Sequence, residues 1–264
     1  MSRQTQIRRV LAFAPFALGL GLSAPAQSAE AYNPEIKPED FSTVITANPY
    51  FMLPIGRKFV LEAETEDGLE RTEIMIPGWT KTVMGVETLV YWDRVYLDGE
   101  LIEDTRDYLA QHANGDVWYF GENVDNYEVG KLADHEGAWL AGVDGARPGI
   151  WVRANAKVGD KYRQEYRAGE AEDAAEVVGL GERVETPLGA FDDCIKTFEW
   201  SPLSPDTAHK YYCRETATVT IEVDLIGPET EEEVRAELIE IDDAGAVGLS
   251  LPPAYAKEGV LQAR

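Results

Sequence analysis

The chain reads as an all-β protein, a single domain in which one strongly curved antiparallel sheet, or an open β-barrel, is laid down largely as a meander. Three observations predict this. Glycine and proline recur roughly every ten to fifteen residues, the spacing of turns between short strands. Amphipathic helical periodicity is nearly absent after residue 26. Between Val86 and Tyr127, alternating runs are joined at Asp98-Gly99 and Asn114-Gly115, dipeptides that supply the positive φ of tight hairpin turns. No Ser- or Pro-rich linker divides the remainder, so one continuous core is expected over residues 48–241.

Arg3, Arg8 and Arg9 precede an apolar run from Val10 to Leu22, and Ala24-Pro25-Ala26 follows with small residues at the signal-peptidase positions. Residues 1–26 are therefore expected to be a secretory signal peptide, which places the mature protein in the periplasm or outside the cell. The run is too short for a permanent span, and no later stretch reaches about 18 apolar residues, so no transmembrane segment is expected. The first cysteine is Cys194, which leaves no N-terminal site for lipid attachment.

Residues 27–47 are polar and punctuated by proline, and read as an extended arm on the surface. Tyr50 and Phe51 are expected to plug one end of the core. A first hairpin runs from Lys58-Phe59-Val60 to Glu73-Ile74-Met75-Ile76, turning at Asp67-Gly68. The central meander follows. If Asp98-Gly99 is a two-residue loop, Arg94 faces Glu103, Asp93 faces Asp104 and Trp92 faces Thr105. If Asn114-Gly115 is another, Gln111 faces Trp118, Leu109 faces Phe120 and Asp107 faces Glu122. Directly opposed carboxylates repel, so such a pair must be solvated, bridged by a cation, neutralised by a base or share a proton. In this register Asp107 and Glu122 share a face with Trp92, Trp118 and Phe120, with Gln111 beside them.

Further on, a hairpin turns at Val129-Gly130, an irregular glycine-rich loop spans Ala141 to Gly149, and strand character resumes from Val158 to Tyr166. Glu165, Glu170, Glu172 and Asp173 form the densest acidic group, a candidate set of oxygen ligands for a hard cation such as Ca²⁺. The spacing of an EF-hand loop is absent there. Strands follow over Glu176–Val184, Ala190–Trp200 and within His209–Leu225. Setting Cys194 opposite Cys213 also sets Asp193 against Arg214 and Phe198 against His209, so a cross-strand disulfide is expected. Residues 230–241 are ambiguous, since the acids after Pro228 suit a helix's first turn while Arg235 to Ile241 suits a closing strand, and the strand is the reading preferred; residues 242–264 read as a tail, loosely docked or mobile.

The chain carries 48 acidic and 24 basic residues, a net charge of −24, and losing the three arginines of residues 1–26 would take it to −27. Such a surface repels phosphate, which argues against nucleic acid as a partner and favours cations. The three histidines show no H-x-x-x-H or H-x-H spacing, and no G-x-S-x-G elbow occurs. The leading expectation is an exported, soluble, non-enzymatic binding protein for a small ligand or a hard cation. Its candidate ligand residues are Asp107, Glu122, Trp92, Trp118, Tyr119 and Gln111, and its candidate metal ligands are Glu165, Glu170, Glu172 and Asp173. Two other readings compete: a carboxylate-dependent, glycosidase-like hydrolase drawing on the same acids, and a structural interaction module of the envelope whose acids only solubilise.

Several stretches, among them Asn48-Pro49-Tyr50-Phe51, Asp98 to Thr105, Asp116 to Glu122, Ala141 to Ala146 and Tyr162 to Asp173, resemble a family of exported, β-rich bacterial proteins without an assigned function. The segments Thr186-Pro187-Leu188-Gly189-Ala190-Phe191 and His209-Lys210-Tyr211-Tyr212 are similar to strands of periplasmic lipocalin-like and lipoprotein-carrier-like sheets. That second resemblance implies a curved half-barrel able to hold a small or apolar ligand.

Overall fold

In the computed structural model, residues 32–226, 231–258 and 261–262 are described; the expected signal peptide lies outside them. The fold is a single all-β domain, one antiparallel sheet nearly closed into a barrel. Its strands in chain order are β1 Phe41–Ser42, β2 Lys58–Thr65, β3 Gly68–Met75, β4 Trp79–Val83, β5 Val86–Leu97 and β6 Glu100–His112. Next come β7 Val117–Glu128, β8 Lys131–Asp134, β9 Trp139–Leu140, β10 Arg147–Val152, β11 Lys161–Arg163 and β12 Glu165–Tyr166. The last six are β13 Ala174–Thr186, β14 Gly189–Trp200, β15 Thr207–Cys213, β16 Thr218–Ile226, β17 Glu231–Asp242 and β18 Leu261–Gln262.

Consecutive hairpins carry the sheet from β13 through β14, β15 and β16 to β17, which pairs with β2. From β2 it continues through β3, β5, β6 and β7 to β10. Strands β11 and β12, separated by Gln164, bring the two ends together, β11 on β13 and β12 on β10. The expected closing strand at residues 230–241 is thus present as β17, and it joins the C-terminal meander to β2.

The inside of the barrel is identified by Phe51, whose ring meets Tyr91 of β5, Trp151 of β10 and Tyr212 of β15 at centroid distances of 6.2, 6.4 and 6.2 Å. One ring can touch three widely separated strands only from within. Phe51 is therefore a plug, as its sequence position predicted. The preceding arm is not merely superficial: Ile45 is fully buried, β1 pairs with β6, and Gln111 Oε1 accepts from the backbone N–H groups of Thr46 and Ala47 at 3.1 and 2.8 Å. Burial of Ile45, Phe51 and Leu53 ties this segment to the core as strongly as a strand.

The tail also differs from expectation. Tyr255, in a short 3₁₀ turn (Tyr255–Glu258), lies on the outer face of the sheet against Trp79 and Trp92, and its hydroxyl donates to Asp104 Oδ1 at 2.7 Å. The Arg106 guanidinium sits 4.2 Å from its ring centroid. An aromatic body with a polar tip suits this position, where an apolar wall meets an ionic group.

The Asp98-Gly99 turn has the two-residue form expected, with φ of 47° and 84° and Leu97 opposite Glu100. A bulge beyond Tyr96 then advances the register by one, so Arg94 faces Asp104, Asp93 faces Thr105 and Trp92 faces Arg106. The Asn114-Gly115 turn is longer than expected. His112 N donates to Asp116 O, leaving three loop residues, so Gln111 faces Val117 and Leu109 faces Tyr119. A second bulge in β7 restores the register, and Asp107 does face Glu122. Gly121 makes that bulge possible: its φ is 121°, and a Cβ there would lie 2.4 Å from the Trp139 carbonyl oxygen. The first hairpin is likewise one residue off, with Thr65 paired to Gly68 and the loop at Glu66-Asp67.

Candidate functional site

Inside the barrel the inward positions of successive strands carry acids. Among the described residues these are Glu70 on β3, Asp93 on β5, Glu103 and Asp107 on β6, Glu122 on β7, Glu165 on β12, Asp173 just before β13, Glu199 on β14, and Glu222 and Asp224 on β16. Seven of them are at most 5% exposed. Asp93, Glu122 and Asp224 are partly covered as residues, although Asp93 Oδ1 has no solvent contact. The buried base facing them is Lys210 on β15, whose Nζ lies 3.4 Å from both Glu199 Oε2 and Glu222 Oε1. Those two carboxylates hold Lys210 protonated, overcoming a burial cost that acts the other way.

Two pairs stand apart from that triad. Asp107 and Glu122 are direct cross-strand partners, and Tyr119, one pleat away, donates its hydroxyl to Asp107 Oδ1 at 2.7 Å. Burial pushes the Asp107 carboxyl up to about 7, against the lowering effect of the Tyr119 bond. Glu122 is raised by burial and then by the charges of Asp107 and Glu165; its partial exposure tempers the shift without reversing it. Glu165 and Asp173 form the second pair, with the Gln164 and Glu165 backbone N–H groups donating to the Asp173 carbonyl at 2.8 and 3.4 Å. Burial and the Asp173 charge raise Glu165 strongly, and burial brings Asp173 to about 7. Charged oxygens this deep are costly, so each pair retains a proton near neutral pH.

A cavity of about 10 Å³ lies at the second pair, lined by Tyr119, Trp151, Gln164, Glu165, Asp173 and Lys210. That is the room of about one water molecule. Gln164 Oε1 and Asp173 Oδ2, both on its wall and both buried, have no hydrogen-bond partner. Tyr119 touches both the cavity and Asp107, and so joins the two acid pairs into one cluster.

The structure divides the residues singled out from the sequence. Asp107, Glu122, Tyr119, Glu165 and Asp173 come together. Glu170 and Glu172 do not: they sit on the turn outside the barrel, Glu170 against Arg167 at 2.7 Å and Glu172 against Arg163 at 3.6 Å. Trp92 and Trp118 fall on the opposite face of the sheet because of the register shifts. Trp92 Nε1 donates to Asp104 at 2.9 Å, and Trp118 packs against Phe41. Gln111 spends its amide on Thr46, Ala47 and the Gly115 carbonyl. Glu70, Asp93, Glu103, Glu199, Lys210, Glu222 and Asp224 were missed. Their strands carry charge at both parities, so alternation alone does not say which face turns inward.

The Cys194–Cys213 disulfide is present, with Phe198 opposite His209 and Asp193 salt-bridged to Arg214 at 2.8 Å, as the sequence register required. No three His, Cys, Asp or Glu side chains among the described residues already converge as a cage for a metal ion. No described helix is long and apolar enough to cross a membrane.

No family model matches the chain, and no curated protein matches it. One solved structure is similar, that of a protein from Bacteroides fragilis described as exported and having a YmcC-like fold. It shares 14% identity over 73% of this chain and 98% of its own, with a TM-score of 0.42. A likeness at that level carries no argument about fold or function.

Proposed function

We propose that the protein is an exported binding protein that takes a small cation, with Ca²⁺ as the test case, into the acid-lined barrel at the Asp107–Glu122 and Glu165–Asp173 pairs. The observation that supports this reading is the imbalance inside the barrel, where among the described residues ten acids face one lysine that is itself matched to two of them. Burying so many carboxyls costs several kcal/mol per ionised group, and a bound cation would offset that cost. The cage is not preformed. Uptake requires the pairs to give up their protons and turn toward the ion, supplemented by Gln164 Oε1, a neutral oxygen donor of the kind hard cations accept. Export is supported by the N-terminal pattern of arginines, apolar run and small residues, and by the disulfide, which suits an oxidising compartment.

The hydrolase reading draws on the same two pairs, since carboxyls raised toward neutrality serve as acids and bases. The 10 Å³ of space beside them weighs against it, because a sugar substrate needs an opening many times larger. Thermal melting separates these readings. Cation binding predicts that melting temperature rises with micromolar to millimolar Ca²⁺ and returns on chelation, and a flat response at every concentration rules it out.

A further inference from the structure

A larger pocket, of about 510 Å³, opens at one end of the barrel and shares no residue with the acid cluster. Its volume lies in the range of small-molecule sites, roughly 300–1,000 Å³. Six separate segments build it, and bonds between them hold its walls in place. The Ala154 backbone N–H donates to Asp116 Oδ1 at 2.9 Å, fixing the loop after β10 against the β6–β7 turn. Asn48 Nδ2 donates to the Val152 carbonyl at 3.2 Å, fixing the N-terminal strap against β10. Arg214 donates through Nη2 to the Tyr50 hydroxyl and through Nε to Asp193 Oδ2, both at 2.8 Å, and that hydroxyl donates to Asp193 Oδ1 at 3.2 Å. Asp193 takes a φ of 56° at the bulge where β14 leaves its register with β13, a left-handed conformation that aspartate tolerates better than most residues.

The chemistry of the lining selects the ligand. Arg214 and Asp193 cancel each other's charge, so neither an anion nor a cation gains a net partner. Both side chains are about half exposed, and the bonds to Tyr50 and Asp193 engage two of the five guanidinium N–H donors, so the pair still offers donors and acceptors to a visitor. The exposed amide of Asn155 adds one more of each. Between these polar groups the lining is apolar, formed by Pro49, Ala113, Ala154, Ala156 and the buried Ile195, with the Leu180 side chain 45% exposed at the rim. A small apolar floor framed by paired donors and acceptors, without net charge, matches a molecule with hydroxyls around its edge and C–H groups on its face. We propose that this pocket binds a neutral sugar of one or two rings.

Saturation-transfer NMR with glucose, galactose, N-acetylglucosamine and cellobiose tests it, with citrate as an anionic control. The expected result is transfer from at least one sugar, with a dissociation constant near or below about 1 mM, and none from citrate. Ala113→Trp and Asn155→Trp fill the pocket from two exposed walls, so at least one should keep the parent melting temperature. Either folded variant should weaken binding at least tenfold. No transfer from any of the four sugars at about ten times that concentration, or binding undiminished in a folded filling variant, overturns the proposal.

Discussion

Asp107 and Glu122 face each other across β6 and β7 on the inner wall of the barrel, with the Tyr119 hydroxyl on Asp107 at 2.7 Å. Two carboxyls so placed, with a second such pair close by, make the interior sensitive to protons and to cations.

The pH dependence of stability follows from the sign of the shifts. An unfolded aspartate titrates near 3.9, whereas Asp107 and Asp173 in the fold titrate at about 7. Between those values the folded state binds more protons, so the contribution of these two groups is full below about pH 4 and is lost as pH rises through 7. Each such group removes about 1.4 kcal/mol per pH unit within the window. His209, pushed down to about 4 by burial and by Lys196, acts the other way as pH falls below 6.5, but it is a single, half-buried group. Melting in the presence of a chelator should therefore give a lower midpoint at pH 8 than at pH 5. A midpoint that rises across this interval contradicts the assignment.

Replacing Glu122 with glutamine keeps the shape and removes the charge conflict. At pH 8 the variant should be more stable than the parent by about 1–3 kcal/mol, with the gain shrinking at pH 5, where the parent pair is already neutralised. Urea denaturation at the two pH values checks this, and an equal loss at both would show that the carboxylate itself is needed structurally.

Lys210→Met leaves Glu199 and Glu222 without their shared base. A loss of about 3–5 kcal/mol is expected from denaturant midpoints near neutral pH, and most of it should be recovered in a variant that also carries Glu199→Gln and Glu222→Gln.

Truncation after Asp242 removes Tyr255 from the outer wall. Trp79, now fully buried, and Trp92, 8% exposed, would become accessible, so tryptophan emission should shift to the red while the barrel remains folded. Tyr255→Phe alone, which loses the bond to Asp104 but keeps the ring, should cost about 1–2 kcal/mol.

Much of this architecture could be read directly from residue order. Turn dipeptides located the meander, and the cysteine positions set the β14–β15 register over its whole length. The Asp107–Glu122 pairing was also read correctly, but by two errors that cancel: a three-residue turn at Ala113–Gly115 in place of a two-residue one, and the bulge at Gly121 that restores the register. Before that bulge every partner is shifted by one, and so Tyr119 rather than Trp118 points inward. Local sequence does not announce such bulges, because their cause is contact with a distant strand, here the close approach of Trp139 to Gly121. The remaining interior acids could not be separated from surface acids for a related reason. In Glu103-Asp104-Thr105-Arg106-Asp107 polar side chains alternate onto both faces, and only barrel closure decides which face is dry.

The most direct test is calorimetric titration of Ca²⁺ into the protein at pH 7, beside the Asp107→Asn/Glu122→Gln double variant. Cation uptake by the two acid pairs predicts saturable binding to the parent accompanied by proton release, detected as a heat that changes with the ionisation enthalpy of the buffer, and loss of both in the variant. A parent that binds no Ca²⁺, or a variant that binds it equally well, would contradict a cation site at Asp107 and Glu122.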